Sequence, residues 1–228
     1  MKTRGESSFA KLPRPAAWMF DALMSGRGAD EHYAGIARDV VARAPMGQLL
    51  DVGTGPGRLL GEIAKLAPRL QLQGLDISAA MVERAARRLG NSARIMQGSA
   101  AQAPFPNCSF ETVVCSGSFY QWDQPVRGLD EIYRLLVPGS VAYLYETSRD
   151  CDRAALRAAI ADKLANEGLL LRKLRSYFLL KQFDMTYSID EFRSLIDRSR
   201  FAGSYSLETI ALAKLPGWLR IELKRRTG

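Results

Sequence analysis

The stretch Leu49-Leu50-Asp51-Val52-Gly53-Thr54-Gly55-Pro56-Gly57-Arg58 decides how the rest of the chain is read. Its first four residues are a short apolar run interrupted only by Asp51, as expected of a buried strand. They lead into three glycines spaced GxGxG, and an amphipathic stretch from Arg58 to Leu66 follows. Glycine turns the backbone sharply and leaves no Cβ in the way of a ligand that must touch the main chain. Strand, glycine-rich turn and helix in this order place such a ligand at the carboxyl end of the first strand, where open α/β sheets bind theirs.

Outward from this turn, a second strand over Leu70–Leu75 ends in Gly74-Leu75-Asp76-Ile77. Asp76 stands 19 residues beyond Gly57, where a carboxylate accepts hydrogen bonds from a ribose diol. The plainer alternative is that the glycines only make a tight turn and Asp76 only caps the next helix. Turn and acidic tip together are far more specific than either alone. The spacing also separates two ligand classes. Dinucleotide binders use GxGxxG, with the third glycine set for helix packing at a pyrophosphate; here Arg58 stands in that place. Asp51, delivered just before the loop, would repel a pyrophosphate but suits an ammonium.

The alternation continues. A helix is expected over Ser78–Leu89 with Ser78 as N-cap, then strands at Ala93–Gln97 and Thr112–Cys115. Pro125 opens a helix to about Leu136 that stops at Val137-Pro138-Gly139, and Val141–Thr147 is a fifth strand. Strands and helices alternating in this way imply βαβ units and a mainly parallel sheet. Helices are expected near 16–25 and 30–44, over 152–182 with a break at Gly168, and from the capping box Ser188-Ile189-Asp190-Glu191 to about Arg198. Ser204–Ile210 and Trp218–Lys224 read as strands joined through Pro216-Gly217, so short a link that the pair must be antiparallel.

At this point the glycine-rich segment resembles the E/D-x-G-x-G-x-G motif of class I S-adenosylmethionine-dependent methyltransferases. Residues 30–147 are similar to the group that includes the ubiquinone/menaquinone-biosynthesis C-methyltransferases. Gly98-Ser99-Ala100 through Ala103-Pro104-Phe105-Pro106 resembles that group's GDA-x-x-LPFP segment, Phe110–Cys115 its SFD-x-V-x strand, and Leu129–Gly139 its helix ending in L-K-P-G. The resemblance implies a Rossmann-like α/β fold: a mainly parallel seven-stranded sheet with one antiparallel strand and helices on both faces. One domain of 1–228 is expected, with an N-terminal helical cap (1–45), a cofactor-binding core (46–147), a helical insertion or lid (148–200) and a C-terminal strand pair (201–228).

The same resemblance assigns residues to S-adenosylmethionine and its product S-adenosylhomocysteine. Asp51, Gly53, Thr54, Gly55 and Gly57 would line the methionine and ribose part, Asp76 the ribose hydroxyls, and Ile77 and Met81 the adenine face. Ser99 and Ala100 would meet the adenine edge, and the Cys115 carbonyl the methionine amine. Two residues depart from the pattern: Ser99 replaces the usual Asp, and Ser140 the second glycine after the proline.

Methyl transfer from a sulfonium asks the protein mainly for proximity and alignment, with no metal and no covalent nucleophile. The acceptor is expected beside Ser116–Trp122, with Tyr120 or Gln121 orienting it, and Trp122, His32 and Tyr33 as further candidates; no general base stands out. Phe119 and Trp122 read equally well as core. Leu169-Leu170-Leu171, Leu174, Tyr177, Phe178 and Phe183 read as core, or else as an apolar acceptor pocket or a face resting on a lipid surface beside Arg172, Lys173 and Arg175.

Composition bounds the rest. The 228 residues are 47% hydrophobic and 25% charged, which suits one α/β domain. Three cysteines, Cys108, Cys115 and Cys151, without CxxC spacing, and one histidine, argue against a disulfide framework or a zinc site. No run of about 18 apolar residues and no apolar leader core is found, so a cytoplasmic location is expected. The net charge of +8 suits an anionic partner such as RNA or acidic lipid. However, no RNA-binding module and no Asn-Pro-Pro-Tyr or Asp-Pro-Pro-Tyr follows the fourth strand. A small-molecule acceptor is therefore favoured over an RNA or protein substrate, and over a non-catalytic cofactor-binding subunit.

Overall fold

The computed structural model describes residues 27–44, 46–212 and 214–227; the helix expected at 16–25 lies outside them. The strands are β1 (Gln48–Val52), β2 (Gln71–Asp76), β3 (Arg94–Gln97), β4 (Phe110–Ser116), β5 (Leu136–Thr147), β6 (Tyr205–Leu212) and β7 (Leu215–Lys224). The helices are α1 (Arg27–Arg43), α2 (Arg58–Leu66), α3 (Ala79–Leu89), α4 (Pro125–Leu135), α5 (Arg153–Lys163), α6 (Leu169–Met185) and α7 (Ile189–Asp197).

The strands form one seven-stranded sheet in the order β3-β2-β1-β4-β5-β7-β6. Neighbours from β3 to β5 pair in parallel, and β7 runs antiparallel to both β5 and β6. Central strands of such a sheet are apolar on both faces because helices cover both. Leu49 and Leu50 are both fully buried, yet they belong to different cores. Leu49, Tyr143 and Tyr145 pack under Ile36 and Val40 of α1, Leu59, Leu60 and Ile63 of α2, and Leu156 and Ile160 of α5. Leu50, Val52, Val113, Ala142 and Leu144 pack under Leu129 and Ile132 of α4 and Phe192 and Ile196 of α7. The first face is also tied by charge. Asp39 of α1 accepts from the Tyr145 hydroxyl at 2.6 Å and pairs with Arg220 of β7 at 2.9 Å.

Three local expectations are corrected. Helix α4 ends at Leu135, and Leu136 already pairs with Phe110, so Val137-Pro138-Gly139 lies inside β5 rather than ending a helix. The turn between β6 and β7 falls at Lys214, which has φ 62°, and not at Pro216-Gly217. Those two residues sit within β7, where the register shift between Ile210 and Leu212 accommodates a proline that cannot donate to the ladder. Ser78 occupies the N-cap of α3, but its side chain makes no capping bond. The capping box of α7 is complete: Glu191 N–H donates to Ser188 Oγ at 3.1 Å, and Ser188 N–H to Glu191 Oε2 at 2.9 Å.

Candidate functional site

The chain runs from β1 outward to β2 and β3, then crosses back to β4 on the other side of β1. The crevice at the carboxyl ends of β1 and β4 is therefore the switch point where open α/β sheets bind ligands. The glycine-rich turn forms one wall of it. Gly53 and Thr54 N–H both donate to the Leu75 carbonyl, at 2.8 and 3.0 Å, which ties the turn to β2. Gly53 has φ 77°, and a methyl there would lie 2.6 Å from Ser118 Cβ and closer still to its hydroxyl. Gly55 has φ 53°, and a methyl there would meet nothing within 4 Å. One glycine is demanded by a neighbouring loop; the other faces open space.

Asp76, at the tip of β2, accepts from Gly55 N–H through Oδ2 and from Ser78 N–H through Oδ1, both at 2.8 Å. It thus shapes the glycine loop and starts α3 at once. Burial raises its pKa while these two N–H groups oppose the rise. Two bonds leave about half of a carboxylate's accepting capacity unused. Gly98 N–H donates to the Asp76 carbonyl at 3.0 Å, which brings Ser99 and Ala100 alongside, with Ser99 Oγ accepting from Ala101 N–H at 3.2 Å. Ile77 is exposed, whereas Met81 is buried with Ala80 in a small cluster apart from both main cores.

Asp51 is only 2% exposed, and its Oδ1 has no hydrogen-bond partner among the described residues; nor has the Thr54 hydroxyl. Burial pushes the Asp51 carboxyl up to about 7, with the nearby Asp76 charge adding to the rise. The Thr54 hydroxyl is close enough to soften this without reaching bonding geometry. An unpaired buried carboxylate is costly, and a cation is the partner that would relieve it.

Facing this wall is the loop after β4. Ser118 Oγ donates to the Val52 carbonyl at 3.1 Å, joining the ends of β1 and β4. The sequence reading missed the residue that holds this loop, Glu146 of β5. It is fully buried, and its Oε1 accepts from Ser118 and Phe119 N–H at 3.0 and 2.9 Å, while Oε2 has no partner among the described residues. Burial raises its pKa to about 7 against those N–H bonds. A glutamate near the end of an otherwise apolar run, Val141–Thr147, was the available signal. Glu146→Ala is expected to cost about 3 kcal/mol, because a buried donor, Phe119 N–H, and a half-buried one, Ser118 N–H, lose their acceptor. Calorimetry should show a Tm lower by about 6–12 °C for a chain of this size.

Cys115 is buried, with its Sγ 3.1 Å from Ser118 Oγ, and burial pushes its thiol well above the usual range, so it is not a nucleophile. Tyr120 is buried and its phenol is likewise raised by burial, with the Glu146 charge adding. Gln121 ends the short turn Phe119–Gln121 and lies within hydrogen-bonding reach of Tyr120. Trp122 turns away from this group: its ring fills the space at Gly128 of α4 and packs 5.0 Å from Phe119. Tyr33 and His32 come from α1. The His32 ring lies 4.2 Å from Trp218 of β7 and 5.3 Å from Tyr33, and burial lowers its pKa to about 3, with Lys163 adding, so it is neutral. Trp218 pairs across the ladder with Thr147 at the carboxyl end of β5. His32 Nδ1, Thr147 Oγ1 and Trp218 Nε1 are all buried without hydrogen-bond partners among the described residues; Trp218 links the other two, and only His32 was singled out from the sequence.

Residues 49–139 match a methyltransferase domain family. An uncharacterized methyltransferase of Bacillus subtilis, YdaC, is 33% identical over 105 residues, covering 46% of this chain and 58% of that protein. A demethylmenaquinone methyltransferase of Deinococcus radiodurans is 33% identical over 113 residues, covering 48% and 46%. The chain thus spans about half the length of these curated relatives. A methyltransferase structure from Methanococcus maripaludis superposes with a TM-score of 0.68 over 99% of this chain and 98% of that one, at 20% identity, which speaks for the fold alone. Matched domain, relatives and sheet agree in what they resemble: residues 49–139 are similar to a methyltransferase domain and to part of the demethylmenaquinone methyltransferases, and the sheet has the fold of S-adenosylmethionine-dependent methyltransferases.

Proposed function

We propose that this chain transfers a methyl group from S-adenosylmethionine to a small, quinone-like or lipid-like acceptor. The observation that carries the proposal is the pairing of an unpartnered buried carboxylate, Asp51, with a second carboxylate, Asp76, across an open glycine turn. A ligand carrying an ammonium at one end and a ribose diol at the other fits that pair. When bound, S-adenosylmethionine supplies a sulfonium whose methyl is already activated for in-line displacement.

The protein's task is then to bind, align and exclude water. Asp51 faces the ammonium, Gly55 leaves the main chain open to the ligand, and Asp76 receives the ribose hydroxyls. Ile77 and Met81 pack on the adenine, with Ser99 and Ala100 at its edge. On the acceptor side, Tyr120, Gln121 and Tyr33 are the candidates, with the His32–Thr147–Trp218 group beside them. Helix α6, within the proposed lid of 148–200, reaches the site: Gln182 Nε2 lies 3.7 Å from where a methyl on Gly117 would stand. The 46–147 segment serves as the cofactor core and α1 as part of the cap. We take the location as cytoplasmic; among the described residues no helix is long and apolar enough to cross a membrane.

The Asp51 carboxyl gives a signed pH dependence. Its pKa is raised to about 7 in the ligand-free fold, whereas an ammonium binds only the ionised form. Affinity for S-adenosylhomocysteine should therefore rise as pH rises, by about tenfold from pH 6 to pH 8. The same shift makes the ligand-free protein lose, as pH rises from about 4 to about 7, the stability that protonated Asp51 confers at lower pH. Calorimetric titrations should show this slope in the wild type and none in Asp51→Asn, which binds more weakly at pH 8. The reaction itself is tested by labelled methyl transfer to a short-chain demethylmenaquinol, with bulk RNA in parallel. Label appearing in RNA alone would overturn the choice of acceptor.

A further inference from the structure

We infer that the outward face of α6 docks on the anionic surface of a lipid bilayer. The inference rests on the helix's own surface, so it stands or falls separately from the methyl-transfer reading. Over its 17 residues only Phe183 is fully buried, with Leu179 and Leu180 partly packed on the core. Phe178 is half-buried, and the other large apolar side chains face water: Leu169 is 60% exposed, Leu170 83%, Leu171 42%, Leu174 43%, Tyr177 56% and Met185 39%. Leu170, Leu174, Tyr177 and Lys181 recur at helical spacing and share one face, with Lys173 beside them. An amphipathic helix normally turns its apolar stripe to the core; among the described residues α6 is covered only on the side of Leu179, Leu180 and Phe183, and a second apolar stripe faces outward.

Charge identifies the occupant. The helix carries Arg172, Lys173, Arg175 and Lys181 against a single acid, Asp184; Arg175 is turned inward onto Glu167, which leaves Arg172, Lys173 and Lys181 to set the charge of the outer side. Asp184 lies at the far end and pairs with Arg153, so the apolar face has a basic border. Lys181 holds its ammonium 5.6 Å from the Tyr177 ring centroid. Leucines sinking to the acyl boundary while long basic side chains reach back to headgroups is the arrangement of an interfacial helix. A second copy of this face would set lysines against lysines. A nucleic acid would gain little from leucines, since bases stack on aromatic or guanidinium planes. The inner side of the same helix reaches Gly117 through Gln182, so a bilayer on the outer side would lie one helix diameter from the loop after β4, about 10 Å.

The test is vesicle flotation of the full chain at about 0.15 M salt, with phosphatidylcholine vesicles and with vesicles containing about 30% phosphatidylglycerol. Binding to the anionic vesicles is expected to be at least about tenfold tighter than to the neutral ones. The double variant Leu170→Glu/Leu174→Glu should lose it while unfolding cooperatively at the wild-type temperature, which shows that the fold survives. Lys173→Gln/Lys181→Gln, which keeps the leucines, should lose the preference for anionic lipid. Equal or absent binding to both vesicle types, undiminished binding by the glutamate variant, or salt-sensitive binding of bulk RNA without vesicle binding would each overturn the inference.

Discussion

Asp76→Ala is expected to weaken binding of S-adenosylhomocysteine by about a hundredfold or more, the largest effect of any single side-chain truncation in the site. The carboxylate already accepts from Gly55 and Ser78 N–H at 2.8 Å each, and its unused capacity faces the place proposed for the ribose. Hydrogen bonds to a charged acceptor are worth about 1.5–3 kcal/mol apiece, and each 1.4 kcal/mol is tenfold in affinity. The variant also loosens the Gly55 turn, so the two losses compound. Asp76→Asn keeps one carbonyl acceptor and should fall between, at about tenfold. Titration calorimetry reads the affinity and thermal unfolding reads the fold. If Asp76 only capped α3, the alanine variant would melt lower yet bind as before.

Gly53→Ala should be the most damaging change to the turn itself, and comparison with Gly55→Ala separates its causes. Both positions have left-handed backbone, φ 77° and 53°, which costs a non-glycine residue about 1–2 kcal/mol. At Gly53 the added methyl also strikes Ser118, whose Cβ is 2.6 Å away. Ser118 must then give up its bond to the Val52 carbonyl, and the loop on which Glu146 holds Ser118 and Phe119 shifts with it. Stability should fall by about 3–4 kcal/mol, and methyl transfer by at least about a hundredfold. Gly55→Ala meets no protein atom, so its melting temperature should drop only by the backbone cost. Its methyl would instead project into the space proposed for the ligand and lower affinity. Equal stability losses in the two variants would show that the Ser118 contact does not matter.

The features legible in the sequence were those with a fixed local signature. The strand–glycine–helix order over 49–66, Asp76 at the next strand tip and the Ser188–Glu191 capping box all rest on short spacings that local backbone geometry enforces. The reversed β7 was legible because a short link between two strands allows only an antiparallel pair. Its turn was misplaced, since Pro216-Gly217 has turn chemistry while the register shift opposite Leu212 absorbs it. Glu146 was passed over because its one local signal, an acid at the end of a largely apolar run, does not say whether the carboxylate holds a distant loop or meets water at a strand end. The exposure of Leu169–Leu174 was equally hidden. Apolar spacing reports that a face avoids water, not whether this chain or another surface supplies the cover. Trp218 meets His32 through the placement of α1 and Thr147 through the β5–β7 ladder, which are contacts between distant parts of the chain.

The central claim, that an adenosyl ligand with a cationic amino-acid end lies across the ends of β1, β2 and β4, is tested most directly by calorimetric titration of the purified chain with S-adenosylhomocysteine and, separately, with NADH. Saturable heat with S-adenosylhomocysteine in the micromolar range and none with NADH is the result the geometry requires, because Asp51 attracts an ammonium and repels a pyrophosphate. No heat with S-adenosylhomocysteine, or tighter binding of NADH, would contradict it.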